Sequence, residues 1–433
     1  MRPRKFIVAT SDFVGLGFAV KLGREGHEVL LAYDPPADLG EEESSRYRSV
    51  GEGMVAKRPL REVFAERERF RDWYWIWDFN HGVPVNEALR REGFRVFGGG
   101  AFADRMEHDR NGCLEFVSKY GLRSPRSEAF SDMAAAIRHC EENPDTAYVY
   151  KPDTGDKFET FLPESQDPAE ANLELRSHLD SNPYSGTFIL QERKDGIETN
   201  VEVWFQKGKP LFAFMSFECK RKNVFDLGPL VGCAFDFSFV IPLDCRAVKE
   251  SVGKLFPAYA EMEYTGFADA NFIAARDGVW FFEKCERFGY AAHPNLFHNL
   301  ALCDMGTILA NLVDGRFEPC FSGGFGAAIT MTTLEGHSAG KVVQFPKRFE
   351  KDIYWWDVYS RNGHFYIAGY DHEGDVLIVN GYGYTIPTAW ESAVGKAHRI
   401  RFPYRQYRTD GAETNFPTSP LRRYEALKAM GYI

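Results

Sequence analysis

Phe281-Phe282-Glu283-Lys284-Cys285-Glu286-Arg287-Phe288-Gly289 is the end of the most informative stretch of the chain. It completes a pattern in which residues 270–274 and 279–284, both apolar at alternate positions, flank Asp277-Gly278. Two such runs about an Asp-Gly turn read as an antiparallel hairpin. Side chains alternate along a strand, so Glu283, Cys285 and Arg287 share one face, and Asn271 on the partner strand can meet them. That face reads in two ways: an ion pair on a solvated sheet, or a site for a charged ligand. Magnesium takes oxygen ligands, typically one or two carboxylates plus substrate phosphates, so Glu283 suits a metal and Cys285 does not.

Upstream, residues 148–151 form a short strand running into Pro152-Asp153-Thr154-Gly155-Asp156-Lys157. A lysine at that strand end, Lys151, is either simply solvated or reaches phosphate oxygens cradled by the backbone of the turn. Residues 188–191 are an apolar strand, and Glu198 follows Gly196 at the head of the next, where it reads as a turn charge or a ligand contact. Residues 198–206 and 211–217 then pair around Lys207-Gly208-Lys209-Pro210 as a second hairpin. Helices are expected over 106–120 and 132–141.

The first hundred residues have another rhythm. Strands at 5–10, 28–33, 73–78 and 95–97 alternate with helices at 18–25 and 85–92, and residues 36–50 read as loop. Such alternation builds a parallel sheet, whose ligands sit beyond the carboxyl ends of the strands. There lie Ser11-Asp12-Phe13-Val14-Gly15-Leu16-Gly17, Asp78-Phe79-Asn80-His81-Gly82 and Gly98-Gly99-Gly100. Gly15 and Gly17 form either a weak phosphate loop or merely a tight strand-to-helix turn. After Ser322-Gly323-Gly324-Phe325-Gly326 come short aromatic strands around Gly363 and Gly374, then helices at 388–396 and 421–430.

The chain has 433 residues, 44% hydrophobic and 26% charged, with net charge −10 and no long charge block. This composition excludes wholesale disorder, and the charge argues against nucleic acid or anionic membrane as partners. No run reaches the ~18 apolar residues that a membrane helix needs, and the basic-then-apolar start lacks a signal-peptide cleavage site. Eight scattered cysteines without a C-x-x-C pair argue against a disulfide scaffold or structural zinc, and for a reducing, cytoplasmic setting.

Together these segments resemble the ATP-grasp superfamily, and within it the phosphoribosylamine–glycine ligases. Tyr264-Thr265-Gly266 through Asp277-Gly278 to Glu283, Arg287, Phe288 and Gly289 looks like the family's Y-T-G … E-F-N-x-R-F-G-D-P-E, continuing through Leu300, Asp304 and Asp314-Gly315. Trp77 through Phe97-Gly98, Met106 to Arg110, Lys119-Tyr120-Gly121, Phe188 through Glu198, Gly381-Tyr382-Gly383 and Tyr407-Arg408-Thr409-Asp410 look like further motifs in the family's order. The resemblance covers almost the whole chain.

It implies a Rossmann-like substrate domain at 1–103, an ATP-grasp domain at 104–320 with a lid near 122–192, and a C-terminal α+β domain at 321–433. It further implies a ligase, monomeric or homodimeric, that activates a carboxylate with ATP as an acyl phosphate and lets an amine displace phosphate. Carried over by position, Arg110, Lys151 and Lys157 would contact ATP phosphates, Gln191 and Glu192 the adenine, and Glu198 the ribose hydroxyls. Glu283, with Asn271 and the position held by Cys285, would bind Mg²⁺ or Mn²⁺, and Arg287 and Lys151 would act on the acyl phosphate. Asp12, Asp78 and Arg408 would face the small-molecule substrates.

The departures cluster. Cys285 stands where the family has Asn, Tyr290-Ala291-Ala292 where it has Asp-Pro-Glu, and Ser11-Asp12-Phe13-Val14-Gly15 where it has G-G-R-E-H. The nucleotide site is mostly retained and the substrate sites are rewritten. This leaves three readings: the family reaction, ligation of another amine or amino acid, or nucleotide binding without catalysis. His81, His293 and His298 are assigned no role.

Overall fold

The structure is a computed structural model that describes residues 3–36, 39–152, 160–182, 184–334 and 337–433. Its first sheet is five-stranded and parallel, in the order Ala56–Pro59, Glu28–Tyr33, Lys5–Thr10, Tyr74–Trp77, Arg95–Phe97. The central strands are almost wholly apolar because both faces are covered. The helix Leu16–Arg24 follows the first strand, and Gly26, at φ +88°, ends the turn that leads back to the sheet.

Two elements escape a reading by periodicity. Residues 41–49, expected as loop, form the helix Glu41–Ser49, in which Tyr47 is the buried residue. A helix with no apolar stripe gives no 3.6-residue signal. Tyr47 holds it in place, its ring 4.6 Å from that of Phe13 and 4.9 Å from that of Tyr370. The strand Ala56–Pro59 is an edge strand of Ala, Lys, Arg and Pro, too polar to stand out.

The expected single helix over 106–120 is two, Ala101–His108 and Arg110–Lys119. Asp109 breaks it: its carboxylate accepts the backbone N–H of Gly112 at 2.8 Å and caps the second helix. The cap places Arg110 in the first turn of that helix.

A three-stranded antiparallel sheet, Ser127–Phe130, Phe188–Glu192 and Tyr148–Pro152, forms a small layer with the helices Met133–Glu142 and Pro168–Ser181 around its own core. The largest sheet has eight strands and carries both expected hairpins. Its order is Gly278–Glu283, Gly266–Ala275, Ile197–Gln206, Lys209–Asn223, Leu227–Val240, Phe325–Thr332, Asp375–Gly383, Ile353–Trp355, with every pairing antiparallel. The sheet therefore runs on across residue 321, and Tyr354 from its far edge packs on Phe18 of the first helix at 5.0 Å.

One disulfide joins Cys303 to Cys320, and the other six cysteines are unbridged. The helix Met305–Val313 returns the chain so that Leu302 donates its N–H to the Cys320 carbonyl at 2.9 Å. A 17-residue separation does not disclose that neighbourhood in sequence. No described helix is long and apolar enough to cross a membrane.

Candidate functional site

The alternation that made the hairpin legible also builds the site. On one face of the large sheet, Asn200 and Glu202, Ser216, Glu218 and Lys220, and Asp269 and Asn271 stand on three adjacent strands, with Glu283 at the end of a fourth. They line a polar cleft closed at one side by Cys285, Arg287, Gly289 and Tyr290. Asn271 and Glu283 are direct register partners, as the hairpin required. The opposite face at residues 284–286 is sealed: Lys284 and Glu286 are fully buried and paired at 2.7 Å.

The cleft is rich in opposed charges. Lys220 lies between two carboxylates, 3.8 Å from Glu218 and 3.9 Å from Glu283. Burial pushes the Glu283 carboxyl up, but Lys220, Lys151, Arg110 and Arg287 outweigh it and hold the group below its ordinary value. Burial raises Glu218. Lys220 is raised: burial opposes its charge, but Glu283, Glu218 and Glu198 outweigh that. Lys220 carries no motif signal, and only its place two residues beyond Glu218 in an alternating strand could have found it.

Lys151 comes from the three-stranded sheet. Its ammonium donates to Gln191 Oε1 at 2.7 Å and lies 5.1 Å from the Phe282 ring centre. Burial, and secondarily Arg110, lowers it to about 8. Gln191 is held in turn by donating to Ser127 at 3.0 Å, and Glu192 pairs with Lys194 at 2.7 Å. Glu198 is exposed at the sheet's rim, opposite Ile273. Arg110 brings a buried Nη1 without a hydrogen-bond partner among the described residues. A buried, unpaired guanidinium nitrogen suits an anionic ligand, since leaving such a donor unsatisfied is costly. Lys157 lies outside the described residues.

As a cation site the cleft is lopsided. Glu283 is ionised and Asn271 offers an amide oxygen across the register, a set that fits one hard cation shared with phosphates. Cys285 does not fit: burial raises its thiol well above its ordinary value, and a neutral thiol is a poor magnesium ligand. Asn271 is oriented by its neighbours, donating to Asp269 at 2.9 Å and accepting from Asn200 at 3.3 Å.

Arg287 lines the cleft, its Nε donating to Glu107 at 2.7 Å and its guanidinium 4.2 Å from the Phe79 ring centre. Phe79 belongs to the turn beyond the fourth strand of the parallel sheet, which brings the two sheets' ligand-facing ends together. There Asp78 is fully buried and accepts the Gly15 N–H at 2.6 Å. Burial lifts its carboxyl to about 7. Asp12 is exposed, beside Ser11. A Cβ on Gly15 would come within 2.8 Å of Asp78, and one on Gly17 within 2.4 Å of the Tyr354 ring. The two glycines thus serve close packing at a tight turn.

Arg408 does not join the site. It is fully buried and ion-paired to Asp410 at 2.6 Å and Asp226 at 2.9 Å, with the Phe235 and Phe416 rings at 4.9 Å. It also donates to the Arg221 carbonyl, among the side chains that alternate away from the cleft behind Lys220. Sequence matching found the residue, but a motif carries no record of which face its side chain takes.

No family model matches the chain. The trifunctional purine biosynthetic protein adenosine-3 of Drosophila pseudoobscura pseudoobscura is 26% identical over 218 residues. That match takes in 48% of this chain and only 16% of the length of that protein. Among solved structures, the phosphoribosylamine–glycine ligase of Thermotoga maritima superimposes with a TM-score of 0.68 at 18% identity, covering 94% of this chain and 99% of that one. The biotin carboxylase domain of Hydrogenobacter thermophilus 2-oxoglutarate carboxylase, solved with MgADP and bicarbonate, gives 0.65 at 12% identity, over 99% of this chain and 98% of that one. An L-amino acid ligase from Bacillus licheniformis gives 0.60 at 14%, over 93% of this chain and 99% of that one. The chain has the ATP-grasp fold.

Proposed function

We propose that the protein is an ATP-dependent carboxylate–amine ligase of the phosphoribosylamine–glycine ligase kind. The observation that carries this reading is the convergence of Lys151, Arg110, Lys220 and Arg287 around the ionised Glu283 in one cleft. Four cations act on this carboxylate, in a cleft that also holds Glu202, Glu218 and Asp269, and such a mixed set suits a polyphosphate carrying a divalent ion.

In this reading the unit at 122–192 is the lid over the nucleotide, and Lys151 and Arg110 meet its phosphates. Gln191 and Glu192 border the base, and Glu198 accepts from the ribose hydroxyls at the rim. Glu283 and Asn271 would hold magnesium or manganese, which when bound neutralises phosphate charge. Transfer of the γ-phosphoryl group to a carboxylate gives ADP and an acyl phosphate. The amine nitrogen then attacks the acyl carbon, the carbon–oxygen bond to phosphate breaks, and amide and phosphate leave. Arg287 and Lys220 neutralise the charge that builds on the transferring group.

The amine's identity rests on the ends of the parallel sheet. Ser11-Asp12-Phe13-Val14-Gly15 stands there in place of the family's G-G-R-E-H turn, which favours an acceptor other than phosphoribosylamine. ADP release measured with phosphoribosylamine and with unphosphorylated amines, each with glycine, tests this. A preference for phosphoribosylamine would contradict the changed-acceptor part, and release with no pair would contradict the ligase reading. A cytoplasmic setting belongs to the same proposal, with the Cys303–Cys320 bridge standing against it.

A further inference from the structure

Arg287 is not loose in the cleft. Its Nε donates to Glu107 Oε1 at 2.7 Å, and the other oxygen of that carboxylate accepts from Asn80 Nδ2 at 2.8 Å. The side chains of Arg287 and Glu107 are only 11% and 12% exposed. The guanidinium also lies 4.2 Å from the Phe79 ring centre and 5.0 Å from that of Tyr290. Three segments meet at this point: the cleft's closing loop, the helix Ala101–His108 that carries Glu107, and the turn 78–82 beyond the parallel sheet.

We infer that Glu107 is a positioning residue, which fixes the Arg287 guanidinium toward the cleft and, through Asn80, ties it to the acceptor-side turn. Each oxygen of the carboxylate serves one partner, so the two ends cannot shift independently without losing a charge-assisted hydrogen bond. Engaging Nε sets the plane of the guanidinium, and the Phe79 and Tyr290 rings restrict its remaining freedom. Glu107 does not line the cleft and touches no reacting group. Its effect is on orientation, where a displacement of about 1 Å can cost about 10²-fold in rate. That rate argument rests on the ligase reading; the coupling itself does not.

Two measurements on the full chain separate them. In protein labelled with [¹⁵N]arginine, the Arg287 Nε–H resonance is assigned by its loss in Arg287→Lys. Glu107→Ala should remove or broaden it, Glu107→Gln should retain it, and Asn80→Ala, which does not touch Arg287, should still shift it. An unmoved resonance in Asn80→Ala overturns the coupling, whatever the activity. In ADP release, Glu107→Ala should lower kcat by about 10²-fold with the KM for ATP within twofold, and Glu107→Gln should recover most of it. The double variant Asn80→Ala/Glu107→Ala should be no worse than Glu107→Ala alone, because both act through one network. A rise in KM for ATP matching the fall in kcat, or additive losses, overturns the positioning role. If the wild type releases ADP with no substrate pair, it is the ligase reading that fails, and the resonance decides the coupling alone.

Discussion

At Glu283 two opposed effects meet. Burial disfavours its charge, and four surrounding cations favour it, with the second effect prevailing. In the proposed function this carboxylate would hold the divalent ion, and it has no core-packing duty. Glu283→Ala is therefore expected to abolish ADP release while leaving the melting temperature close to that of the wild type; full activity in that variant would remove the metal assignment. Lys151 gives a pH test with a definite sign. Its value of about 8 lies below the ordinary lysine value, so its charge is present below pH 8 and lost above it. The KM for ATP is expected to rise as pH passes about 8, and Lys151→Arg, whose charge persists, should flatten that rise. For stability the sign is opposite: the unfolded chain holds this proton up to a higher pH, so the group's contribution improves between about 8 and the ordinary value. Both residues were legible in sequence, Glu283 by alternation and Lys151 by its strand end. Glu107 and Lys220 were not singled out as site residues, because their roles depend on partners 180 and 63 residues away, Arg287 and Glu283.

At the scale of elements, period-two alternation supplied the Asn271–Glu283 register and the cleft face of the hairpins. It supplied nothing for the helix Glu41–Ser49, whose single buried residue gives no stripe, or for the break at Asp109, where a side-chain cap outweighs a continuous helical pattern. Asp109→Ala is expected to destabilise the chain by about 1 kcal/mol, read in denaturant unfolding, and to loosen Arg110 just behind it. Arg408 shows the other failure, a motif residue turned to the wrong face. Removing it leaves Asp410 and Asp226 facing each other without their cation. Arg408→Ala is expected to cost about 3–5 kcal/mol of stability with KM values unchanged in whatever protein folds. A selective rise in a substrate KM would return it to the site.

At the scale of the molecule, alternating strands and helices announced the parallel sheet, and two hairpins announced the large antiparallel one. The extension of that sheet past residue 321 was not legible, since strand order is fixed by pairing across long separations and not by local pattern. The Cys303–Cys320 bridge depends on the same long-range geometry. Protein isolated without reductant and then denatured should titrate six thiols, those of the unbridged cysteines, and eight would show the bridge reduced. In the proposed function, the parallel-sheet turns, the cleft and the unit at 122–192 serve one reaction, joining a carboxylate to an amine at the expense of ATP. The most direct test is ADP release with magnesium, glycine and a panel of amines that includes fresh phosphoribosylamine, each component omitted in turn. Release should require ATP, magnesium, carboxylate and amine together and disappear in Glu283→Ala. ATP binding without release under every pair would contradict it and leave a nucleotide-binding protein on a ligase fold.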